Sequence, residues 1–332
     1  MKTFNQPSMP TAMLTVSYGD KGRDGYLDAM AYFFAQTPKM NDFGVTGYPV
    51  MSETSYGGSL TGPGKTEDEV RAFVTPMVER MRALGAKVSM TLGSRLGGMS
   101  KGDLGALAGL FGGAKGAGMG GLPKGDLSAL AGLFGGAKGA AAPRNSATLF
   151  YGPDGSIRVP DVLGALHRHR KRQAVDMSPV HQTPVASMAS RLLARSALSE
   201  ENIPAIRAML ANVTGFLLPY GNLGGQVSKN KALDVGVNPA WREASMHLIA
   251  ISFNVTNNLR AMDGLSVDSA AYLNEAADVQ EKDWKRTFWG PKEHYARLLE
   301  VKKKYDPTNT LWCFPCVGAD VFAQKEGRLY VS

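Results

Sequence analysis

A glycine-rich segment occurs almost twice in this chain of 332 residues, at 101–117 and again at 124–140. Repeat folds need about three or more copies, each with enough apolar surface to stack on the next. Each glycine also weakens a helix by about 0.8 to 1 kcal/mol relative to alanine. We therefore expect residues 93–146 to be a low-complexity insert, so that the folded core comes from the sequence on either side of it.

The sequence before the insert alternates between strand-like and helical patterns. Its clearest element is a helix with apolar residues at helical spacing from Val70 to Leu84, where Thr66 and Glu69 form a capping box and Gly85 ends the helix. The remaining patterns predict a helix at 25–37 and strands at 11–17, 45–52, 56–60 and 88–92. This order predicts an α+β layer of helices against a sheet.

The sequence after the insert continues the mixture. We predict helices at 189–198 and 203–210, and strands at 216–220, 225–228 and 246–254. The hydrophobic fraction of 44% is ordinary for a globular protein, so the two flanks can share one core. A further strand is expected at Tyr272, followed by an aromatic loop and a helix that ends before Asp306-Pro307.

Charge and cysteine usage restrict the function classes. The net charge is +8, but its densest cluster at 167–172 has no interleaved aromatic residues, so it predicts a solvated helix end rather than a nucleic-acid surface. The two cysteines, Cys313 and Cys316, are too few for a zinc site or a disulfide framework, and we expect small apolar residues beside a strand. No signal-peptide or membrane-span pattern is present, which predicts a cytoplasmic chain.

One stretch is far more specific than any of these patterns. It carries, in strict order, Tyr272-Leu-Asn274-Glu275, Trp284, Phe288-Trp289-Gly290, Tyr295 with Leu298-Leu299, Lys304-Tyr305-Asp306-Pro307 and Val317-Gly318. This series of motifs resembles the C-terminal segment of berberine-bridge-like FAD-linked oxidoreductases. Trp312-Cys313 resembles the fungal members, which often serve secondary-metabolite pathways.

The resemblance implies an organisation for the whole chain. In that family a PCMH-type FAD-binding domain precedes a substrate domain, an antiparallel sheet flanked by helices. Residues 1–92 and 147–268 resemble the substrate domain, and 269–322 resemble the berberine-bridge segment. No flavin-attachment motif is found. We therefore expect a truncated chain that lacks the FAD-binding domain and does not retain FAD alone. It is either a fragment of a longer protein, which we favour, or a half that pairs with a separate FAD-binding domain, or an inactive remnant.

Two candidate site residues follow from the resemblance. Tyr272 resembles the tyrosine that takes a substrate hydroxyl proton as hydride leaves for the flavin. Asn274, expected on the same strand face, resembles the asparagine that hydrogen-bonds near FAD. Tyr48, Glu53, Tyr56 and Gln226 are expected on strands facing the flavin, with structural roles favoured for each.

The function implied is hydride transfer from a small-molecule substrate to flavin, with no metal, nucleic acid or membrane involved. Fold analogy does not confer activity. The alternative is therefore a catalytically inactive, truncated remnant, or a binding module that docks to a partner.

Overall fold

The computed structural model describes residues 7–93, 150–151, 157–158, 187–266, 269–276, 281–325 and 328–331. The chain divides into two compact units, Met1–Leu110 with Val185–Ser332, and Phe111–Pro184. In the second unit the described residues form a short hairpin of β5 (Phe150–Tyr151) and β6 (Ile157–Arg158). Apart from Gly93, the predicted insert lies outside the described residues, as does the basic cluster at 167–172.

A seven-stranded sheet organises the first unit. Its strands are β1 (Thr11–Tyr18), β2 (Val50–Met51), β3 (Ser55–Thr61), β4 (Ala86–Gly93), β7 (Ser187–Ala194), β8 (Phe216–Tyr220) and β9 (Ala244–Ser252). The spatial order is β4-β1-β3-β2-β8-β9-β7, and every neighbouring pair is antiparallel. The predicted α+β class with an antiparallel sheet is thus confirmed.

Helices cover one face of this sheet, which we call the helix face. They are α1 (Gly22–Ala35), α2 (Thr37–Phe43), α3 (Glu67–Ala83), α4 (Ile203–Asn212) and α7 (Val255–Leu265). Their apolar residues join one buried cluster with alternate strand residues such as Leu14 and Val16 of β1 and Leu248 of β9. Because side chains along a strand point alternately to its two faces, the residues between them lie on the opposite face, which we call the site face.

The capping box predicted at the start of α3 is confirmed. The Thr66 hydroxyl accepts the Glu69 amide at 3.2 Å, and the Glu69 carboxylate accepts the Thr66 amide at 2.7 Å. Two otherwise unpaired amides are satisfied in this way. Gly85 follows the helix with φ +103°, a left-handed conformation that favours glycine, so the predicted end is also confirmed.

Three local predictions are wrong. Residues 187–194 form strand β7, not a helix, because they pair along their length with β9 and place Ala189 and Leu193 in the core. Residues 225–229 form the short helix α5 (Gly225–Lys229), not a strand. The strand predicted at 45–52 is reduced to Val50–Met51.

The segment after residue 268 is mostly irregular. It contains a 3₁₀ turn at Leu273–Glu275, a π-helix at Lys285–Trp289, helix α8 (Lys292–Tyr305), and a hairpin of β10 (Phe322–Lys325) and β11 (Arg328–Val331). Short helix α6 (Ala240–Glu243) lies just before β9. Cys313 and Cys316 form a disulfide, which corrects the expectation of two unlinked small apolar residues.

A buried ionic cluster ties this segment to the sheet. Arg191 of β7 bonds Asp263 of α7 at 2.6 Å and Glu281 at 2.5 Å. The Arg191 and Glu281 side chains are both only 6% exposed. A charge removed from water this far needs its partner, so the cluster fixes where residue 281 lies against β7. Within the described residues, no helix is both long and apolar enough to cross a membrane.

Candidate functional site

Tyr272 and Asn274 meet in a turn held against the sheet edge. The Leu192 amide of β7 donates to the Ala270 carbonyl at 2.7 Å, which fixes the start of this segment. The chain then turns through Leu273–Glu275, and the Asn274 amide nitrogen donates to the Tyr272 hydroxyl at 2.7 Å. Tyr272 remains 38% exposed. The strand expected here is therefore a 3₁₀ turn, and it is the turn that brings the two polar groups together.

His247 of β9 lies beneath this turn on the site face. Its ring centroid is 6.0 Å from that of Tyr272 and 5.8 Å from that of Trp241, and the Trp241 and Tyr272 centroids are 5.7 Å apart. All three contacts have the tilted or edge-to-face geometry that aromatic rings prefer. Trp241 comes from α6, so three separate elements supply this three-ring cluster.

Glu275 completes the turn and approaches His247 from the side. One carboxylate oxygen is 3.5 Å from Nδ1 of His247. Burial lowers the pKa of His247 to about 4, so the imidazole is neutral at pH 7. Burial also raises the pKa of Glu275. The contact is therefore between a carboxyl group and a neutral ring, and Nε2 of His247 is buried without a hydrogen-bond partner among the described residues.

A second aromatic pair lies on the other side of His247. Tyr220 of β8 is the cross-strand neighbour of His247, so the two side chains share the site face. The Tyr220 ring packs edge-on against Tyr48 with centroids 5.2 Å apart, and Asn222 donates to the Tyr48 hydroxyl at 3.3 Å. Burial, followed by the nearby Glu275 carboxylate, raises the pKa of Tyr220. Tyr48 is 65% exposed and open to a ligand.

The other residues considered from the sequence are dispersed. Tyr56 is fully buried on the helix face, where burial raises the pKa of its phenol far above the ordinary range. Gln226 lies on α5 and bonds Asn230. The Glu53 carbonyl accepts the Tyr18 hydroxyl, which is a structural contact. Of these four residues, Tyr48 alone is part of the ring arrangement at the site.

The sequence reasoning missed Trp241, Tyr220, His247 and the position of Glu275. His247 was visible as a polar residue alternating with Met246 and Leu248 in an apolar strand, a pattern that places it on the opposite face from the core. Glu275 was part of the Tyr-Leu-Asn-Glu wording but was given no role. Among the described residues, no three His, Cys, Asp or Glu side chains are grouped as metal ligands.

Comparison with known proteins matches this segment to a family. Residues 271–314 match the family model described as berberine and berberine like. The FAD-linked oxidoreductase easE of Claviceps purpurea is 33% identical over 120 residues, covering 32% of this chain and 25% of that protein. The FAD-linked oxidoreductase OXR2 of Pyricularia oryzae is 41% identical over 81 residues, covering 24% of this chain and 13% of that protein.

Two solved structures have a similar fold. The VAO-type flavoprotein MtVAO713 of Myceliophthora thermophila C1 superimposes with a TM-score of 0.64 at 19% identity, covering 99% of this chain and 51% of that one. MtVAO615 of the same organism gives 0.61 at 17% identity, covering 100% of this chain and 51% of that one. The chain thus spans about half the length of these structures and shares their fold, and its segment 271–314 is similar to the berberine-bridge-like family.

Proposed function

We propose that this chain supplies the substrate side of an FAD-linked oxidoreductase that removes hydride from a small molecule, with Tyr272 as the proton acceptor. The observation that carries the proposal is the 2.7 Å hydrogen bond from Asn274 to the exposed hydroxyl of Tyr272 on the site face. FAD, when bound, supplies the hydride acceptor. The substrate that we propose is a small molecule of a secondary-metabolite pathway.

Asn274 has a chemical task in this arrangement. A proton acceptor must hold its accepting oxygen in a fixed direction toward the substrate. Asn274 donates a hydrogen bond to the phenolic oxygen of Tyr272 and thereby fixes the direction of the ring. We therefore assign Tyr272 to proton transfer and Asn274 to its orientation.

The residues of the site fit a flavin as neighbour. A flat ring system with polar edges needs apolar walls and a few placed hydrogen-bonding groups. Tyr272 and Trp241 offer aromatic surfaces and Asn274 offers an amide. The neutral His247 carries a buried nitrogen that no described residue hydrogen-bonds. Tyr272 and Asn274 would contact the isoalloxazine side, whereas His247 supports the Tyr272 ring from beneath.

The test removes the phenolic oxygen of Tyr272. The chain is fused behind the FAD-binding half of a solved VAO-type relative, and reduction of bound flavin by a panel of alcohols is followed by absorbance under anaerobic conditions. Tyr272→Phe keeps the ring but removes the proton acceptor, so flavin reduction should slow by about 10² to 10⁴ with flavin content unchanged. Tyr305→Phe is the matched control, because Tyr305 is 76% exposed on α8.

Two results would contradict the proposal. An unchanged reduction rate in the Tyr272→Phe fusion would leave Tyr272 with a structural role only. Absence of flavin reduction in the unmodified fusion, when it binds FAD fully and is offered the panel, would favour the inactive remnant or docking module. The chain alone is expected to purify without flavin, since this wall supplies only one side of a cofactor site.

A further inference from the structure

The carboxyl group of Glu275 stands between two aromatic pairs on the site face. On one side it contacts His247, which packs against Trp241 and Tyr272. On the other side its charge acts on Tyr220, whose ring packs on Tyr48. Aromatic faces carry negative partial charge, so these rings and the carboxylate all favour a positive charge placed among them.

No lysine or arginine in the described part of the chain forms an ion pair with Glu275. Within the described residues, the ionisable side chain that contacts Glu275 is His247. Burial keeps the His247 imidazole neutral at pH 7, so it is not a counter-ion. The pKa of Glu275 is raised by burial, with no lysine or arginine lowering it. Two exposed carboxylates elsewhere do have a cationic partner, since Asp234 pairs with Arg297 and Asp320 pairs with Lys285. Glu275 is thus a half-buried carboxyl group without a cationic partner among the residues that the structure describes.

Access to the group is open from solvent. The Glu275 side chain is 35% exposed, Tyr272 is 38% exposed and Tyr48 is 65% exposed. Solvent, and therefore a ligand in solution, can reach the Glu275 carboxylate and the Tyr48 and Tyr272 rings.

We propose that the site selects substrates that carry a protonated or quaternary amine, with the cation held by Glu275 and the rings of Tyr48 and Tyr220. This inference names the substrate class of the proposed oxidoreductase and rests on that function for its biological meaning. An ammonium group restores the missing counter-ion and gains from the ring faces. A carboxylate substrate is repelled by Glu275, and a neutral polyol leaves the charge of Glu275 unpaired.

The experiment measures binding, without flavin or turnover. The full chain is titrated at pH 7 with 2-phenylethylamine and, in parallel, with 2-phenylethanol, which has the same ring and chain length but no charge. Saturation-transfer NMR and quenching of tryptophan fluorescence give the two dissociation constants. The amine should bind about tenfold more tightly than the alcohol, a preference that one cation–ring and carboxylate contact can supply.

Variants locate the preference. Glu275→Gln keeps the shape of the side chain and should remove the preference, whereas Glu79→Gln on α3 of the helix face should retain it. Tyr48→Leu removes a ring that is 65% exposed and should weaken amine binding several-fold. Tyr305→Leu, at an exposed tyrosine of α8 outside the site, should bind the amine as the unmodified chain does.

The outcomes separate this inference from the proposed function. Equal binding of amine and alcohol, or a preference that survives Glu275→Gln in a folded variant, overturns the amine site. Thermal melting confirms folding of each variant. An amine preference without any flavin reduction in the fused enzyme therefore supports the site while contradicting the oxidoreductase, and the reverse pattern does the opposite.

Discussion

The two faces of the sheet are built from the same strands but by different rules. On the helix face, alternate residues such as Leu14, Val16 and Leu248 are at most 1% exposed and join one apolar cluster. On the site face the intervening positions include the half-buried Tyr220 and the buried His247, both of which have polar atoms in their side chains. Burial of apolar side chains alone accounts for the residues on the helix face. The site face has polar residues whose burial lowers the stability of the fold, which indicates selection for binding and chemistry.

The largest effect we expect breaks the ionic cluster that joins the sheet to the terminal segment. Arg191→Met leaves Glu281 buried without a partner and should lower the free energy of unfolding by about 3 to 5 kcal/mol. Arg195→Met is the matched control four residues on. Its pair with Asp42 is more than half exposed on both sides and should contribute at most about 1 kcal/mol. Urea unfolding measures both, and equal losses would contradict the assignment of Arg191 as the anchor.

The next prediction compares one residue type on the two faces. Leu248 is completely buried on the helix face, whereas Leu218 lies half-buried on the site face. Leu248→Ala should cost about 2 to 5 kcal/mol, because the surrounding helices cannot close the cavity. Leu218→Ala should cost less than half of that. Similar urea midpoints for the two variants would show that something covers the site face of β8 as tightly as the helices cover the other face.

The acid response of the site face is the third prediction. The unfolded chain binds a proton at His247 below about pH 6.5, whereas the folded chain keeps the ring neutral until about pH 4. Stability from this group is present above pH 6.5 and is lost as the pH falls towards 4, by on the order of 3 kcal/mol. His247→Gln cannot take up the proton, so its unfolding free energy should fall less between pH 7 and pH 4.5. Identical pH slopes would mean that His247 is solvated.

The helix face was largely predictable from the sequence, for reasons visible in single elements. The capping box of Thr66 and Glu69 and the apolar periodicity of α3 are local signals, and both were read correctly. Strand β7 was not, because its sequence Met-Ala-Ser-Arg-Leu-Leu-Ala suits a helix. Pairing with β9 overrides that local preference, and such pairing depends on residues more than fifty positions away.

The site could be predicted only in part. Resemblance to a family supplied Tyr272 and Asn274, and physical patterns supplied neither. The contacts among Tyr48, Tyr220, Trp241 and His247 join three separate parts of the chain, so no local periodicity reveals them. The strand predicted at Tyr272 fits the backbone of that residue only. Tyr272 is extended, with φ −90° and ψ 122°, but the chain turns directly after it at Leu273–Glu275.

The smallest expected effect has the opposite sign from the others and tests the comparison most directly. Burial raises the pKa of Glu275, so the folded chain holds a proton there more readily than the unfolded chain. Stability from this group is full at low pH and is lost as the pH rises through its folded pKa. At pH 7 the unpaired charge therefore opposes folding, and Glu275→Gln should stabilise the chain, by less than about 1 kcal/mol because the side chain is partly solvated. Glu79→Gln, on the exposed side of α3, should change stability by no more than about 0.5 kcal/mol.

Matched thermal melts at pH 7 and pH 4.5 test this prediction, since the gain in stability of Glu275→Gln should be present at pH 7 and smaller at pH 4.5. A destabilised Glu275→Gln variant would show that a cation already pairs with this carboxylate in the folded chain, and the site face would then be as fully satisfied as the helix face.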